Sequence, residues 1–335
     1  MHRIYTKWFW VGATLLVSFL VSTPVWALIL GGLLVLLGPN PHSALTDAWA
    51  KSLLKISIVL FGFSLRWDTL WTVGHQSLVW TILSITSTLV LGSLLGRWFG
   101  LDRTLSILIS TGTAICGGSA IAAMSPVVRA SSAQTALVMS MIFILNAIAL
   151  VLFPWMGGWM GLNEQQFGLW CALAIHDTSS VVGAAASVGD EALQIATTVK
   201  LLRAFWIVPI SMIASFWMQY TERDPVDALP KIPWMERLPW FMIGFGTASV
   251  LRGQIESTAI GSVVWQGYTL IDGCVLLGML GRKLMVGTLF LMGAGLSMKE
   301  LRKVGWSSMW MSSLLWILVS IVSLLCILQG WVQLL

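Results

Sequence analysis

The chain of 335 residues is 57% hydrophobic and 10% charged, whereas soluble domains carry about 25% charged residues. A mean hydropathy of +0.86 and repeated apolar runs of about 20 residues leave lipid as the solvent for most of the chain, which excludes a soluble enzyme. The net charge of +5, from 19 basic and 14 acidic residues, is dispersed singly at the ends of apolar runs. That pattern fits positive-inside topology and excludes a nucleic-acid groove.

In chain order, residues 8–37 are too long for one span and short for two. Pro24 disfavours helix in the residue before it, so a pair of short spans is predicted over 8–21 and 25–37. Arg3 and Lys7 ahead of this run, with Val25-Trp26-Ala27 after it, imitate a cleaved signal, but apolar sequence continues to Leu37 without the polar start of a mature domain. Further spans are predicted over 49–65, with Lys51 and Lys55 at its start, and over 73–96. With the amino terminus inside, Lys51 and Lys55 fall near the cytoplasm, Arg66 and Asp68 outside, and Arg97 and Arg103 inside again.

Residues 104–128 are apolar but interrupted by glycine-rich residues 112–119, which argue for unwound backbone. An ordinary span follows over 133–155 with one buried amide, Asn146. Residues 167–188 are interrupted again, at His176-Asp177-Thr178-Ser179-Ser180. If both interrupted segments cross the membrane there are about eleven spans and Ser131 is outside. If both are re-entrant there are nine and Ser131 is inside. Residues 192–218 form a span that Pro209 kinks, and a polar cytoplasmic link covers about 219–237. Residues 240–251 span, 252–282 read as one interfacial stretch outside, 284–297 return inward to Lys299, Arg302 and Lys303, and 306–335 cross outward. Many of the 20 tryptophans flank these runs, as interfacial belts require. The whole chain, 1–335, is read as a single integral membrane domain.

The spacing of Gly62-Phe63-Ser64-Leu65 with Leu70, Val73 and Gly74 recurs in Gly293-Ala294-Gly295-Leu296 with Leu301, Val304 and Gly305. In this topology the two copies face opposite sides, as inverted repeats of secondary transporters do. Chance similarity of short segments is the competing explanation.

Four groups of residues are candidates for chemistry. Irregular chain at membrane depth is tolerated where it lines a cavity or is buried in protein, and Gly112, Thr113, Cys116, Gly117, Gly118 and Ser119 supply such a stretch. Their backbone could cradle an anion, or the glycines could serve only close helix packing. His176 and Asp177, with Ser179 and Ser180 beside them, are intramembrane polar groups suited to ion coupling, although Asp177 could instead cap a half-helix or pair with Lys200. Lys200 and Arg203 lie three apart, on one helix face, and two cations there suit a doubly charged oxyanion. Snorkelling or ion pairing is the alternative. Cys116, Cys171, Cys274 and Cys326 lack metal-ligand or disulfide spacing, and no P-loop occurs, so neither a metal nor another cofactor is expected.

These same residues carry a resemblance. Gly112-Thr-Ala-Ile-Cys-Gly-Gly-Ser-Ala-Ile-Ala-Ala123 with Pro126 and Arg129, Glu164-x-x-Phe-Gly-Leu-Trp170, Ile175-His-Asp177 and Ile195-Ala-Thr-x-Val-Lys-Leu-x-Arg203 closely resemble the YeiH-like family of bacterial inner-membrane proteins, whose members are labelled sulfate exporters. Gly62-Phe-Ser-Leu65 and Gly295-Leu-Ser-x-x-Glu-Leu-Arg302 extend the likeness towards both ends. The resemblance implies an all-α polytopic carrier of the cation/proton antiporter and anion transporter group, with inverted repeats and two discontinuous helices. Many members read His-Asp-Val-Ala-Gln where this chain has His176-Asp177-Thr178-Ser179-Ser180, a departure that bears on the particular substrate.

The expected activity is therefore secondary active transport of a small anion such as sulfate, sulfite or a sulfur-containing organic acid. Lys200 and Arg203 would neutralise the anion, residues 112–119 would cradle it, and His176 and Asp177 would couple movement to protons or sodium. A passive anion channel is the rival, and no enzyme is expected. Expected partners are the small anionic substrate, the coupling ion H+ or Na+, the lipid bilayer and, as one arrangement open to such a carrier, a second copy in a homodimer. Nucleic acid is not among them.

Overall fold

The computed structural model describes residues 2–21, 24–37, 42–65, 67–221, 240–258, 269–294 and 306–332. Among them the regular structure is helical: α1 His2–Leu20, α2 Pro24–Leu37, α3 Ser43–Gly62, α4 Trp67–Trp98, α5 Arg103–Ala114, α6 Gly118–Met124, α7 Ser132–Trp159, α8 Glu164–Ala174, α9 Thr178–Ala186, α10 Asp190–Phe205, α11 Ile207–Thr221, α12 Trp240–Ser257, α13 Leu270–Ala294 and α14 Trp306–Leu328. Among the described residues, five stretches are long and apolar enough to cross a membrane: Leu70–Trp98, Ser132–Trp159, Asp190–Met218, Leu270–Ala294 and Trp306–Leu328. Lipid demands internally satisfied backbone, which a helix supplies. The hydroxyls follow the same rule. Thr14, Ser18, Ser57, Ser110, Ser125 and Ser320 each donate to the carbonyl four residues back. Exposed faces are apolar, as on α4 at Val79, Leu83, Val90 and Leu94, and Trp98, Trp159 and Trp306 stand exposed at helix ends, where indole rings suit the headgroup region.

The chain divides into two compact units. The first comprises Met1–Thr72 and Pro239–Ser297. Within it α13 packs against α1, α2 and α3, and α12 against α3. Trp10, Ala27, Ala50, Val286, Phe290 and Leu291 form its core. Close approach here depends on small residues: a Cβ on Gly281 would lie 2.8 Å from the Phe61 N and Ser57 O backbone atoms.

The second unit comprises Val73–Leu238 and Met298–Leu335. Its axis is α7, 28 residues and about 40 Å long. Before it the chain runs up α5, turns at residues 115–117 and comes back down α6. The return is fixed by hydrogen bonds between the two ends of this excursion. Thr104 Oγ1 donates to Val128 O at 3.5 Å, and Gln134 Nε2 in the first turn of α7 donates to Asp102 Oδ2 at 3.0 Å. After α7 the pattern recurs: α8 advances, residues 175–177 turn, and α9 comes back. Glu164 Oε2 at the start of α8 accepts from Glu191 N and Ala192 N at the start of α10, at 2.9 and 3.2 Å. Two helical hairpins thus begin and end at opposite ends of α7, the first at its amino end and the second at its carboxyl end. Ser131 and Asn163 each form a capping box with a glutamine three residues on, which fixes where α7 and α8 start.

The structure departs from the sequence reading over residues 252–282. Residues 252–282 are not one interfacial stretch, since α12 extends to Ser257 and residues 270–282 belong to the 25-residue helix α13. Asp272 made that run look polar, but it sits in the first turn and exchanges capping hydrogen bonds with Thr269, while Arg252 Nη1 donates to Ile271 O at 3.1 Å. The span over 192–218 runs as expected within one apolar stretch, Asp190–Met218, kinked at Trp206 between α10 and α11, because Pro209 cannot donate to the carbonyl of Phe205 four residues earlier. The polar link after Thr221 up to residue 237, the second repeat copy beyond Ala294, and Arg66, Lys299, Arg302 and Lys303 lie outside the described residues.

Candidate functional site

The two hairpin tips meet beside the middle of α7. A Cβ on Gly117 would lie 3.3 Å from Ile142 and 3.6 Å from both Asp177 N and His176 C, so the tips stand about one methyl group apart. Asn146 Oδ1 accepts from Asp177 N at 3.2 Å. Ile142 and Asn146 are central in Ser132–Trp159. Gly117 takes φ 65° and ψ −122°, a left-handed extended conformation open to glycine and strained for other residues. The second hairpin is wedged by aromatics: Phe153 of α7 stacks on Trp170 of α8 at 4.1 Å and on Trp316 of α14 at 6.2 Å, and Trp170 Nε1 donates to Ser320 O at 2.9 Å.

A helix that ends inside a protein leaves its last carbonyls without donors. Lys200 and Arg203 of α10, both fully buried, provide them. Lys200 Nζ donates to Ala172 O at 3.4 Å and to Ile175 O. Arg203 Nη1 donates to Ala172 O at 3.0 Å and to Leu173 O, and its Nη2 reaches across to Ala114 O. The two cations therefore hold the carboxyl ends of both first half-helices, α5 and α8, where the helix dipole is negative. Neither snorkels. Among the described residues no carboxylate forms an ion pair with either, so pairing of Lys200 with Asp177, Asp190 or Glu191 does not occur.

Asp177 caps α9. Its Oδ2 accepts from Ser179 N at 3.0 Å and from the Ser179 hydroxyl, and the group remains half-buried beside the tips. Thus the capping reading describes its geometry. His176 is 1% exposed with both ring nitrogens unpartnered, and its ring lies 6.4 Å from that of Trp316. Thr113 Oγ1, Asn146 Nδ2, Thr197 Oγ1, Arg203 Nε and Trp316 Nε1 are likewise buried without partners. Buried polar groups in proteins are otherwise nearly always paired, so this cluster of unpartnered groups, rich in N–H donors, requires an explanation.

Gly112, Thr113, Cys116, Gly117, His176, Asp177, Ser179, Lys200 and Arg203 are thus gathered around the tips. Gly118 is half-buried and Ser180 buried in the first turns of α6 and α9, whereas Ser119 is exposed and its side chain stands apart from this enclosed cluster. Sequence reading noted Asn146 only as a buried amide. Its signal was position: it is a buried amide midway along a long apolar helix, where such a group needs a purpose. Thr197, one turn before Lys200, and Trp316 carried no separable signal in so threonine- and tryptophan-rich a chain.

Comparison with known proteins sets this arrangement in a family. The family described as Conserved hypothetical protein 698 matches residues 9–287. A UPF0324 membrane protein of Bdellovibrio bacteriovorus is 39% identical over 96% of this chain and 94% of its own length. The chain belongs to the UPF0324 family of membrane proteins. Other members include one from Geobacter sulfurreducens, 41% identical over 91% of both chains, and one from Bacteroides thetaiotaomicron, 40% identical over 90% of this chain and 85% of its own. The YeiH-like resemblance fits this membership. No solved structure matches the chain. Both hairpin tips and both buried cations fall inside the stretch matched by the Conserved hypothetical protein 698 family.

Proposed function

We propose that this UPF0324 protein is a multi-pass secondary transporter of the bacterial inner membrane. It moves a small anion, such as sulfate, sulfite or a sulfur-containing organic acid, coupled to H+ or Na+, and carries out no covalent chemistry. The observation that carries the reading is the cluster of buried, unpartnered N–H groups around two fully buried cations where the hairpin tips meet. A buried cationic cluster with spare donors is a poor core and a good anion site.

The topology adds support. Thr104 to Val128 and Glu164 to Glu191 close each excursion at the end where it began, which favours re-entrant hairpins and nine crossings over eleven. With the amino terminus in the cytoplasm, the first hairpin enters from inside and the second from outside. Tips meeting from opposite faces at mid-depth give a site both sides can reach in turn, as alternating access requires. The coupling role falls to Asp177, which ties the α9 cap to the state of its carboxylate, with His176 next to it.

The test is flux from proteoliposomes loaded with labelled sulfate or sulfite, with and without a pH or sodium gradient. The wild type is expected to show gradient-dependent flux of at least one of these anions, and Lys200→Ala to lose it. Gradient-independent leakage that survives Lys200→Ala, from protein shown to be folded, would overturn the reading.

A further inference from the structure

We infer that the site between the hairpin tips takes a monoanion, of sulfonate or carboxylate type, in preference to a dianion such as sulfate. The inference rests on the anion-carrier reading and names the charge of its cargo.

Two cations in one pocket suggest a dianion only while both are free. Here they are largely spent. A lysine ammonium and an arginine guanidinium together present eight N–H groups, and five hydrogen bonds run from them to Ala114, Ala172, Leu173 and Ile175 carbonyls. Three N–H groups are left, one each on Lys200 Nζ, Arg203 Nη2 and Arg203 Nε, and the last of these is buried without a partner. Three donors suit the two or three oxygens of a carboxylate or sulfonate.

The fixed charges lead to the same result. The carboxyl ends of α5 and α8, held by the cations, each count as about −0.5 of a charge, and the amino ends of α6 and α9 as about +0.5 each. Asp177, sitting on the amino end of α9, adds a full negative charge. The surplus around the tips is then about +1 rather than +2. A monoanion neutralises it, whereas a dianion buries about one uncompensated negative charge, and burying uncompensated charge is what protein interiors avoid. The remaining lining offers dipoles without fixed charge: Asn146 Nδ2, Thr113 Oγ1 and Trp316 Nε1 are unpartnered there.

Isothermal titration of the purified full-length protein at neutral pH and constant ionic strength, with methanesulfonate and with sulfate, tests this. The wild type is expected to bind methanesulfonate at least ~10-fold more tightly than sulfate. Asp177→Asn keeps a good helix cap while removing one negative charge, and should move the ratio at least ~10-fold towards sulfate. Sulfate bound as tightly as methanesulfonate by the wild type would overturn the inference and leave the carrier reading standing. An unchanged ratio in folded Asp177→Asn would overturn it too. Binding of neither anion by folded wild type would overturn the inference and the anion reading together. The wild-type comparison needs no variant to fold.

Discussion

Replacing Arg203 with alanine is expected to unfold or loosen the second unit and abolish flux. The guanidinium donates to Leu173 O and Ala114 O, one in each hairpin, and truncation leaves both carbonyls without that donor in a dry interior. Each orphaned acceptor costs about 1–3 kcal/mol, and the cavity left by so large a buried side chain adds to it. Together these approach the whole stability of an ordinary domain, about 5–15 kcal/mol. Thermal unfolding in detergent should show the midpoint far below wild type. Arg203→Lys should recover part of the loss, because a point-like ammonium lacks the planar fork that spans two hairpins. An alanine variant as stable as wild type would mean that the tips are held by something else.

Gly117→Ala carries the second large effect. At φ 65° and ψ −122° a side chain costs about 1–3 kcal/mol in backbone strain, and the new methyl would press 3.3 Å from Ile142. The first tip must adjust its backbone and its packing on Ile142 right beside Asp177 and His176, so anion flux should fall sharply even where folded protein remains. Gly118→Ala is the matched control. Its Cβ position has Phe143 as nearest neighbour at 3.9 Å and it begins α6, so thermal midpoint and flux should both stay near wild type. Equal behaviour of the two variants would show that the tip conformation is not needed.

The sequence revealed the breaks more readily than the direction of the chain after them. Three glycines among residues 112–119 and the polar run at His176 marked both interruptions, because each asks for something a straight membrane helix does not provide. Whether the chain then crosses or returns depends on partners far away in sequence, Asp102 with Gln134 and Glu164 with Glu191, and surface charges alone carry no pairing information. Lys200 and Arg203 stood out by their cost. Their task did not, since their partners are main-chain carbonyls of α5 and α8, which look alike in every sequence. Asp272 misled for a related reason: an acidic residue at a helix start and one in an interfacial loop read the same until its cap with Thr269 is seen.

The central claim is that two hairpins enter from opposite faces and meet around Lys200 and Arg203. Single cysteines at Ser131 and Val188, in a background lacking Cys116, Cys171, Cys274 and Cys326, probe it directly through labelling by a membrane-impermeant maleimide in intact and inverted vesicles. Trp98→Cys and Trp159→Cys, exposed at the adjoining helix ends, serve as references for the two faces. The account predicts that position 131 labels from the same face as position 98, and position 188 from the same face as position 159. Labelling of 131 from the face opposite 98, or of 188 from the face opposite 159, would mean that an interrupted segment crosses the membrane, and would contradict it.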